Sequence, residues 1–188
     1  MIRASRRFRF RLVGVMVMLA VAALRAADPD TTTYAHVRSS SARLQGAIEE
    51  GKLGSRTFRR LIETIGATNG IVYVEEGVCR HGVRSCLSLR VTTTAGVRYL
   101  RVLIDLRAAT VTGAVALIGT IGHELCHALE VLKEPSLTTA TAVFLFYLRE
   151  VANWNGGAFE TAAAISTEVR VFGEASTARR VGDARSQP

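Results

Sequence analysis

Residues 117–132 read LIGTIGHELCHALEVL, and this stretch decides how the rest of the chain is interpreted. Its apolar residues recur at the spacing of one helix face, which predicts a helix that is buried on that side. The face consists of Leu117, Ile121, Leu125, Ala128 and Leu132. His123 and His127 are one helical turn apart, about 40° around the axis, so both imidazoles can reach one metal ion. The stretch therefore predicts a core helix that carries a metal site.

Glu124 follows His123 in the chain but is displaced from it by about 100° around the helix. At that angle its carboxylate can contact a water molecule on the metal without being a ligand itself. The alternative is that both histidines are held by hydrogen bonds inside the core. The His-Glu-x-x-His spacing on a helix favours zinc. We predict Zn2+ as the cofactor, His123 and His127 as its ligands, and Glu124 as the catalytic residue.

A catalytic zinc needs a third protein ligand, and no third histidine follows at short spacing. Glu160 is the favoured candidate, because it opens a predicted helix after a pair of glycines and small residues follow on its face. Glu150 is the main rival, but Phe146 and Tyr147 lie beneath it and would hold the two helices further apart. We therefore predict Glu160 as the third ligand.

Two other residues of the motif have different expected roles. Glu130 lies one turn beyond His127, and helix side chains lean toward the N-terminus. It therefore suits hydrogen bonding to His127 better than direct ligation. The alternative for Glu130 is a solvated carboxylate at the end of the helix. Cys126 is expected to be a small buried apolar residue and not a ligand.

The first 26 residues have the three parts of a secretory signal peptide. An arginine-rich start is followed by an apolar run at residues 12–24 and by small residues at Ala26 and Ala27. The run covers 13 residues, whereas a retained membrane anchor needs about 20. The pair Arg6-Arg7 fits a twin-arginine export signal poorly. We predict that residues 1–26 are removed and that the protein is secreted or periplasmic, without a stable membrane span.

The formal net charge of +8 is concentrated in that leader. Six of the 24 basic residues and none of the 16 acidic ones lie in residues 1–27, which leaves 18 basic residues against 16 acidic ones. We expect no nucleic-acid partner, because proteins that bind nucleic acids carry clustered basic charge. A membrane-surface or nucleic-acid binder driven by arginine is kept as an alternative.

Alternating and β-branched residues predict three strands, at residues 71–75, 85–92 and 97–106. Residues 93–96 supply a turn between the last two strands, which favours an antiparallel hairpin. Helical spacing predicts two helices before the strands, the second capped by Ser55, and three helices after them. The predicted fold class is α+β, with a small antiparallel sheet of about three strands packed against helices.

A single domain is expected in residues 27–175, because a chain of 188 residues has room for one core and little more. Residues 176–188 are polar, carry arginines and lack a periodic apolar pattern, which predicts a mobile tail. Cys79 and Cys86 flank a short segment between two strand-like stretches. In an exported protein these two cysteines can form a disulfide bond, and the alternative is a pair of buried thiols.

The set of His123, Glu124, His127 and a glutamate on a later helix resembles the gluzincin group of the zincin metallopeptidases. The chain is also similar to short exported bacterial proteins of uncharacterised function that carry His-Glu-Leu-x-His-Ala-Leu-Glu and a later Phe-Glu-Thr, here residues 159–161. The resemblance runs from about residue 55 to residue 172. It implies a zincin-like fold with the metal-binding helix in the core, a zinc-bound Glu160, and hydrolysis of a peptide or protein substrate.

The chain departs from that family at several positions. Gluzincins similar to thermolysin place an aspartate four residues after the ligand glutamate, where this chain has Ala164. The partner of one histidine is therefore absent or supplied from elsewhere. The residue that stabilises the transition state in such enzymes has no match; Tyr147, His36 and His81 are guesses for it.

One further expectation follows from the family. In zincins a peptide substrate usually lies along an edge strand of the sheet, and the resemblance implies residues 71–75 or 97–106 as that edge. The alternative to an enzyme is a noncatalytic extracytoplasmic domain that zinc stabilises, in which the fourth metal position is closed by Cys126 or another carboxylate.

Overall fold

The computed structural model describes residues 35–107, 113–150, 154–155 and 158–185. All of them fall in one unit of the chain, which runs from Tyr34 to Pro188. The predicted signal peptide at residues 1–26 lies outside the described residues.

A mixed five-stranded sheet forms one layer of the fold. Its strands are β1 (Val37–Arg38), β2 (Gly70–Glu76), β3 (Ser85–Leu87), β4 (Thr92–Thr94) and β5 (Val97–Ile104). Strands β1, β2 and β5 are parallel and adjacent in that order, while β3 and β4 both pair with β5 in the antiparallel sense. A short hairpin of β6 (Trp154–Asn155) and β7 (Ala158–Phe159) lies outside this sheet.

The predicted α+β class is confirmed, but the prediction of an antiparallel sheet of about three strands is wrong. The central pair, β2 and β5, is parallel, and so is the pair of β1 and β2. The two helices between β1 and β2 form the crossover that parallel neighbours require. An alternating apolar pattern reports which face of a strand is buried and not the direction of its partner, so the sequence pattern did not distinguish the two arrangements.

The predicted strand at residues 85–92 is divided in two by residues 88–91, which do not belong to a strand. The predicted hairpin is confirmed. Thr93 and Thr94, which the prediction put in the turn, belong to β4, so the turn consists of Ala95 and Gly96. Both turn residues have positive φ, 49° and 77°, as a tight type I′ turn requires.

Five α-helices have both ends among the described residues: α1 (Ala42–Gly54), α2 (Arg56–Gly66), α3 (Ala114–Lys133), α4 (Ala140–Glu150) and α5 (Ala162–Arg185). A short 3-10 helix spans Arg80–Gly82. The predicted cap of α2 is confirmed, because Ser55 Oγ accepts a hydrogen bond from the backbone N–H of Phe58 at 3.0 Å. Helix α5 includes residues 176–185, so most of the predicted tail is helical. Residues 177–184 are exposed, and this explains why no apolar period marks them.

Helix α3 is the central element of the core and contains the histidine motif. Residues 117–129 of this helix are all buried, against the sheet, α1, α2 and α5. Among the described residues it is the one helix long and apolar enough to cross a membrane, but most of it is buried inside the protein, as in the core helix of a soluble domain. Gly122 allows α5 to approach, because a Cβ there would lie 3.1 Å from Val171 Cγ2.

The C-terminal end of α3 is held by an arginine of the sheet. Arg98 on β5 is 3% exposed and donates hydrogen bonds to the backbone carbonyls of Val131, Leu132 and Glu134. The backbone N–H groups of Glu134 and Leu137 also donate to the carbonyls of Val131 and Glu134, and a cation at a helix C-terminus interacts favourably with the helix dipole. Arg98 therefore fixes the position of α3 relative to the sheet.

Candidate metal centre

Three potential ligand atoms converge at the middle of α3. His123 Nε2 lies 3.2 Å from His127 Nε2 and 3.1 Å from Glu160 Oε2. The ligand atoms of the three residues all lie within 4.8 Å of one another. Two ligands that each bind zinc at 2.0–2.1 Å in a tetrahedral site are about 3.3 Å apart. The His123, His127 and Glu160 group can therefore hold a metal ion.

The hydrogen-bond pattern of the two imidazoles also fits a bound cation. Nδ1 of each ring faces a carboxylate, Glu130 for His127 at 3.0 Å and Glu168 for His123 at 3.3 Å. When each Nδ1 carries the proton, each Nε2 has a lone pair, and the two lone pairs face each other. That arrangement is repulsive unless a cation or a proton lies between them. Both rings are buried, with 7% of His123 and 4% of His127 exposed.

The protonation of His123 reflects the same carboxylates. Burial alone lowers the pKa of His123, but contacts with Glu160 and Glu168 and the nearby charge of Glu124 outweigh burial and raise its pKa to about 10. The metal-free site therefore holds a proton at neutral pH. A metal ion that binds there must displace this proton.

Glu130 occupies the position that its spacing from His127 predicted. Its Oε2 contacts His127 Nδ1, and its Oε1 accepts a hydrogen bond from Thr161 Oγ1 at 2.7 Å. Burial raises the pKa of Glu130, but the hydrogen bonds from His127 and Thr161 outweigh burial and lower it below its usual value. Glu130 is thus an ionised acceptor that orients His127, and the alternative of a solvated carboxylate is wrong.

Glu168 supplies the partner of the other histidine, and sequence reasoning missed it. One oxygen lies 3.3 Å from His123 Nδ1, within ion-pair distance although not aligned as a hydrogen bond. The other oxygen pairs with Arg84, just before β3. Glu168 lies one helical turn after Ala164 on α5, so it takes the place of the aspartate that this chain lacks at position 164. The only sequence signal was an acidic residue eight positions after Glu160, which itself lies just before α5.

Glu124 is held beside the ligand group by a residue of the sheet. It is 3% exposed, and its Oε1 accepts a hydrogen bond from Ser85 Oγ at 2.6 Å. Burial raises the pKa of Glu124, while the positive charges of the histidines and the Ser85 hydrogen bond oppose that rise. A carboxylate with a raised pKa is suited to accept and release a proton near neutral pH. No sequence pattern indicated a role for Ser85.

An open cleft of about 800 Å³ adjoins the site, and Glu124, both histidines and Glu160 line it. A disulfide bond between Cys79 and Cys86 forms part of the cleft lining, which confirms the pairing that the sequence allowed. Ser85 lies next to Cys86 at the start of β3. The disulfide therefore restrains the strand that positions Glu124.

The remaining candidates from the sequence lie elsewhere. Glu150 ends α4 in an exposed position and is not part of the ligand group. Cys126 is a buried free thiol outside that group. His36 Nδ1 contacts the backbone oxygen of Gly70 in the sheet. Tyr147 lines the cleft, but its hydroxyl donates to the backbone oxygen of His127 at 3.0 Å. The side chain of His81 lies outside the described residues.

The expected edge strand also needs correction. Residues 97–104 form β5, which is paired on both sides, and residues 70–76 form β2, which lies between β1 and β5. Neither is the edge beside the site. That edge is β3, which in the described part of the chain pairs with β5 alone and lines the cleft.

Comparisons with protein-family models, with curated proteins and with solved structures give no match for this chain. The interpretation of the site therefore depends on its own residues and their geometry.

Proposed function

We propose that this protein is an exported zinc-dependent hydrolase, and more specifically a metallopeptidase of the zincin type. The observation that carries the proposal is the convergence of His123, His127 and Glu160 at the wall of an open cleft, with Glu124 buried next to them. The disulfide between Cys79 and Cys86 supports an oxidising compartment outside the cytosol.

The donor set supports zinc over other common metals. Two imidazole nitrogens and one carboxylate oxygen form the set of catalytic zinc sites, whereas magnesium and calcium prefer oxygen ligands alone. Among the described residues no fourth His, Cys, Asp or Glu joins the group. Three protein ligands leave a position for water and substrate, which is the feature that separates catalytic zinc sites from structural ones.

The zinc ion, when bound, supplies a Lewis acid that lowers the pKa of water to about 7 and polarises a substrate carbonyl. Glu124 accepts a proton from the attacking water and transfers it to the leaving amine. Ser85 holds the carboxylate of Glu124 in a fixed direction through its 2.6 Å hydrogen bond. Glu130 and Glu168 keep both imidazoles in the tautomer whose Nε2 faces the metal.

A peptide is the substrate that the cleft best accommodates. The open edge of β3 presents backbone N–H and C=O groups, which can pair with an extended chain and leave its side chains to contact the cleft. Apolar residues form much of the cleft surface, including Leu87 on β3 and Phe144 on α4. An extended peptide on β3 would lie beside Glu124, because Ser85 of this strand contacts that carboxylate.

The alternative is a domain that binds zinc without catalysis, and a Glu124→Gln variant separates the two. In the enzyme, this variant retains about one zinc per chain but loses hydrolysis by at least about 100-fold, because a general base contributes 10²–10⁴. Zinc is measured by elemental mass spectrometry on the processed protein, and hydrolysis by digestion of a diverse peptide library. Glu134→Gln, an exposed position just after α3, is the matched control and leaves both quantities unchanged.

Two results would contradict the proposal. Hydrolysis that is equal in wild type and Glu124→Gln would show that Glu124 is not the base. Wild-type protein that holds one zinc but cleaves no peptide in the library would favour the noncatalytic domain.

A further inference from the structure

Two arginines without ion-pair partners lie at the cleft beside the metal centre. Arg80 and Arg90 both line the cleft and are both exposed. Within the described ranges neither guanidinium takes part in an ion pair, whereas the nearby Arg84 and Arg101 pair with Glu168 and Glu75. Their charges are therefore available to a molecule that enters the cleft.

The other charges of the cleft do not neutralise these arginines. Among the described residues, the carboxylates in its lining are Glu124 and Glu160; Glu160 belongs to the candidate ligand group, and Glu124 is buried. A divalent cation offsets those two carboxylates, so the occupied cleft has a net positive charge from Arg80 and Arg90. A cleft lined by one sign of charge attracts ligands of the opposite sign and raises their rate of association.

The two arginines also have a defined relation to the open strand edge. Arg80 precedes β3 in the loop closed by the disulfide, and Arg90 follows β3 by three residues. Between them the surface is largely apolar, with Val83, Leu87 and Leu89 in the lining. A chain that lies along β3 therefore meets positive charge before and after a short apolar stretch.

We infer that the cleft selects peptides that carry acidic side chains on both sides of a short apolar segment. This inference rests on the proposed function, because it assumes that the cleft receives an extended peptide. Each arginine can form a charge-assisted hydrogen bond with a carboxylate, in the bidentate geometry that lysine cannot provide. Carboxylates flanking the apolar segment are thus the feature that distinguishes preferred substrates.

Equilibrium binding to the zinc-loaded Glu124→Gln protein tests the inference without relying on turnover. Three synthetic peptides are compared by fluorescence anisotropy: one with glutamates on both sides of an apolar tripeptide, one with glutamines there, and one with lysines. The glutamate peptide is expected to bind roughly tenfold more tightly than the glutamine peptide at low salt, because two partly exposed pairs act together. The lysine peptide should bind most weakly, and the difference should shrink as salt is added.

A second set of variants assigns the preference to the two arginines. In the Glu124→Gln background, Arg80→Gln together with Arg90→Gln should bind the glutamate and glutamine peptides equally. Arg60→Gln, an exposed arginine on α2 away from the cleft, should retain the full preference. Equal binding of the three peptides, no binding of any, or a preference that survives the double substitution overturns the inference.

Cleavage by the wild-type protein keeps this inference distinct from the proposed function. If the wild type cleaves glutamate and glutamine peptides at the same rate, the function stands and the inference fails. If the Glu124→Gln protein prefers the glutamate peptide but the wild type cleaves none, the inference stands and the function fails.

Discussion

Glu168 and His123 face each other across the contact between α5 and α3, with Glu168 Oε2 3.3 Å from His123 Nδ1. Because Arg84 holds the second oxygen of the same carboxylate, the orientation of one proposed ligand depends on a residue that precedes β3. The sheet and the two helices therefore meet at this carboxylate.

The Glu168→Gln substitution removes the charge of that carboxylate and keeps its size. We expect zinc affinity to fall about 10- to 100-fold, the usual effect of removing the carboxylate partner of a metal-bound histidine. Competition with a chelator of known zinc affinity measures the change. Ser166→Ala, at an exposed position on the same helix, is the control and should not change the zinc affinity. If Glu168→Gln also leaves the zinc affinity unchanged, Glu168 is not the partner that orients His123.

The Arg98→Met substitution removes the cation at the end of α3 but keeps most of the apolar volume. The buried carbonyl of Leu132 then loses its donor, whereas those of Val131 and Glu134 keep backbone N–H donors, and we expect the free energy of unfolding to fall by about 2 kcal/mol. Urea unfolding followed by circular dichroism gives the value. Arg101→Met on the same strand, where the arginine is exposed, is the matched control and should change stability by less than about 1 kcal/mol.

The local parts of this architecture could be predicted from sequence, since they depend on neighbours along the chain. The positions of His123 and His127 follow from helical spacing, and the cap at Ser55 follows from its place before a periodic apolar run. Glu160 could be chosen because the glycines before it separate two helical patterns. In each case the signal lies within a few residues of the position that it predicts.

The parts that sequence reasoning missed depend on contacts between distant segments. Ser85 reaches Glu124 across 39 positions, and Arg84 reaches Glu168 across 84. Strand direction is equally nonlocal, because β2 and β5 have the same alternating pattern whether they run parallel or antiparallel. Strand β1 has only two residues, too few for any periodic signal.

Reduction of the Cys79–Cys86 disulfide tests how far this bridge stabilises the wall of the cleft. The chain-entropy description assigns a bridge across this short loop about 2.5 kcal/mol of stability. We therefore expect the unfolding midpoint to fall when the protein is treated with a dithiol reductant. The Cys79→Ser, Cys86→Ser double variant should start at the lower midpoint and show no response to the reductant. A wild-type midpoint that is insensitive to reduction would argue against the bridge.

Glu174 gives a prediction for the dependence of stability on pH. Its carboxylate accepts hydrogen bonds from Ser55 Oγ, Thr57 N and Thr57 Oγ1 at the start of α2. Burial raises its pKa, but these hydrogen bonds outweigh burial and lower the pKa below its usual value. A carboxylate with a lowered pKa in the folded state contributes stability above its unfolded pKa of about 4.3, and this contribution is lost as pH falls through the folded pKa.

The Glu174→Gln variant should therefore be less stable than wild type at pH 7, by about 1 kcal/mol. The difference should shrink as the pH falls below about 4. Thermal unfolding from pH 7 to pH 3 provides the comparison, with Glu63→Gln on the exposed face of α2 as the control. A difference that stays constant over this range would contradict the role of the ionised carboxylate.

Glu160 and Thr161 are neighbours in the chain, directly before α5 begins at Ala162. Glu160 supplies an oxygen to the candidate metal site, and the hydroxyl of Thr161 donates to Glu130, the carboxylate that contacts His127. If these two residues move, the metal site loses the Glu160 oxygen, and Glu130 loses the hydrogen bond that holds it against His127. We therefore expect loss of a bound ion and detachment of the helix start to be one cooperative event, so that the centre empties in an all-or-none manner and not through a series of partly ligated states.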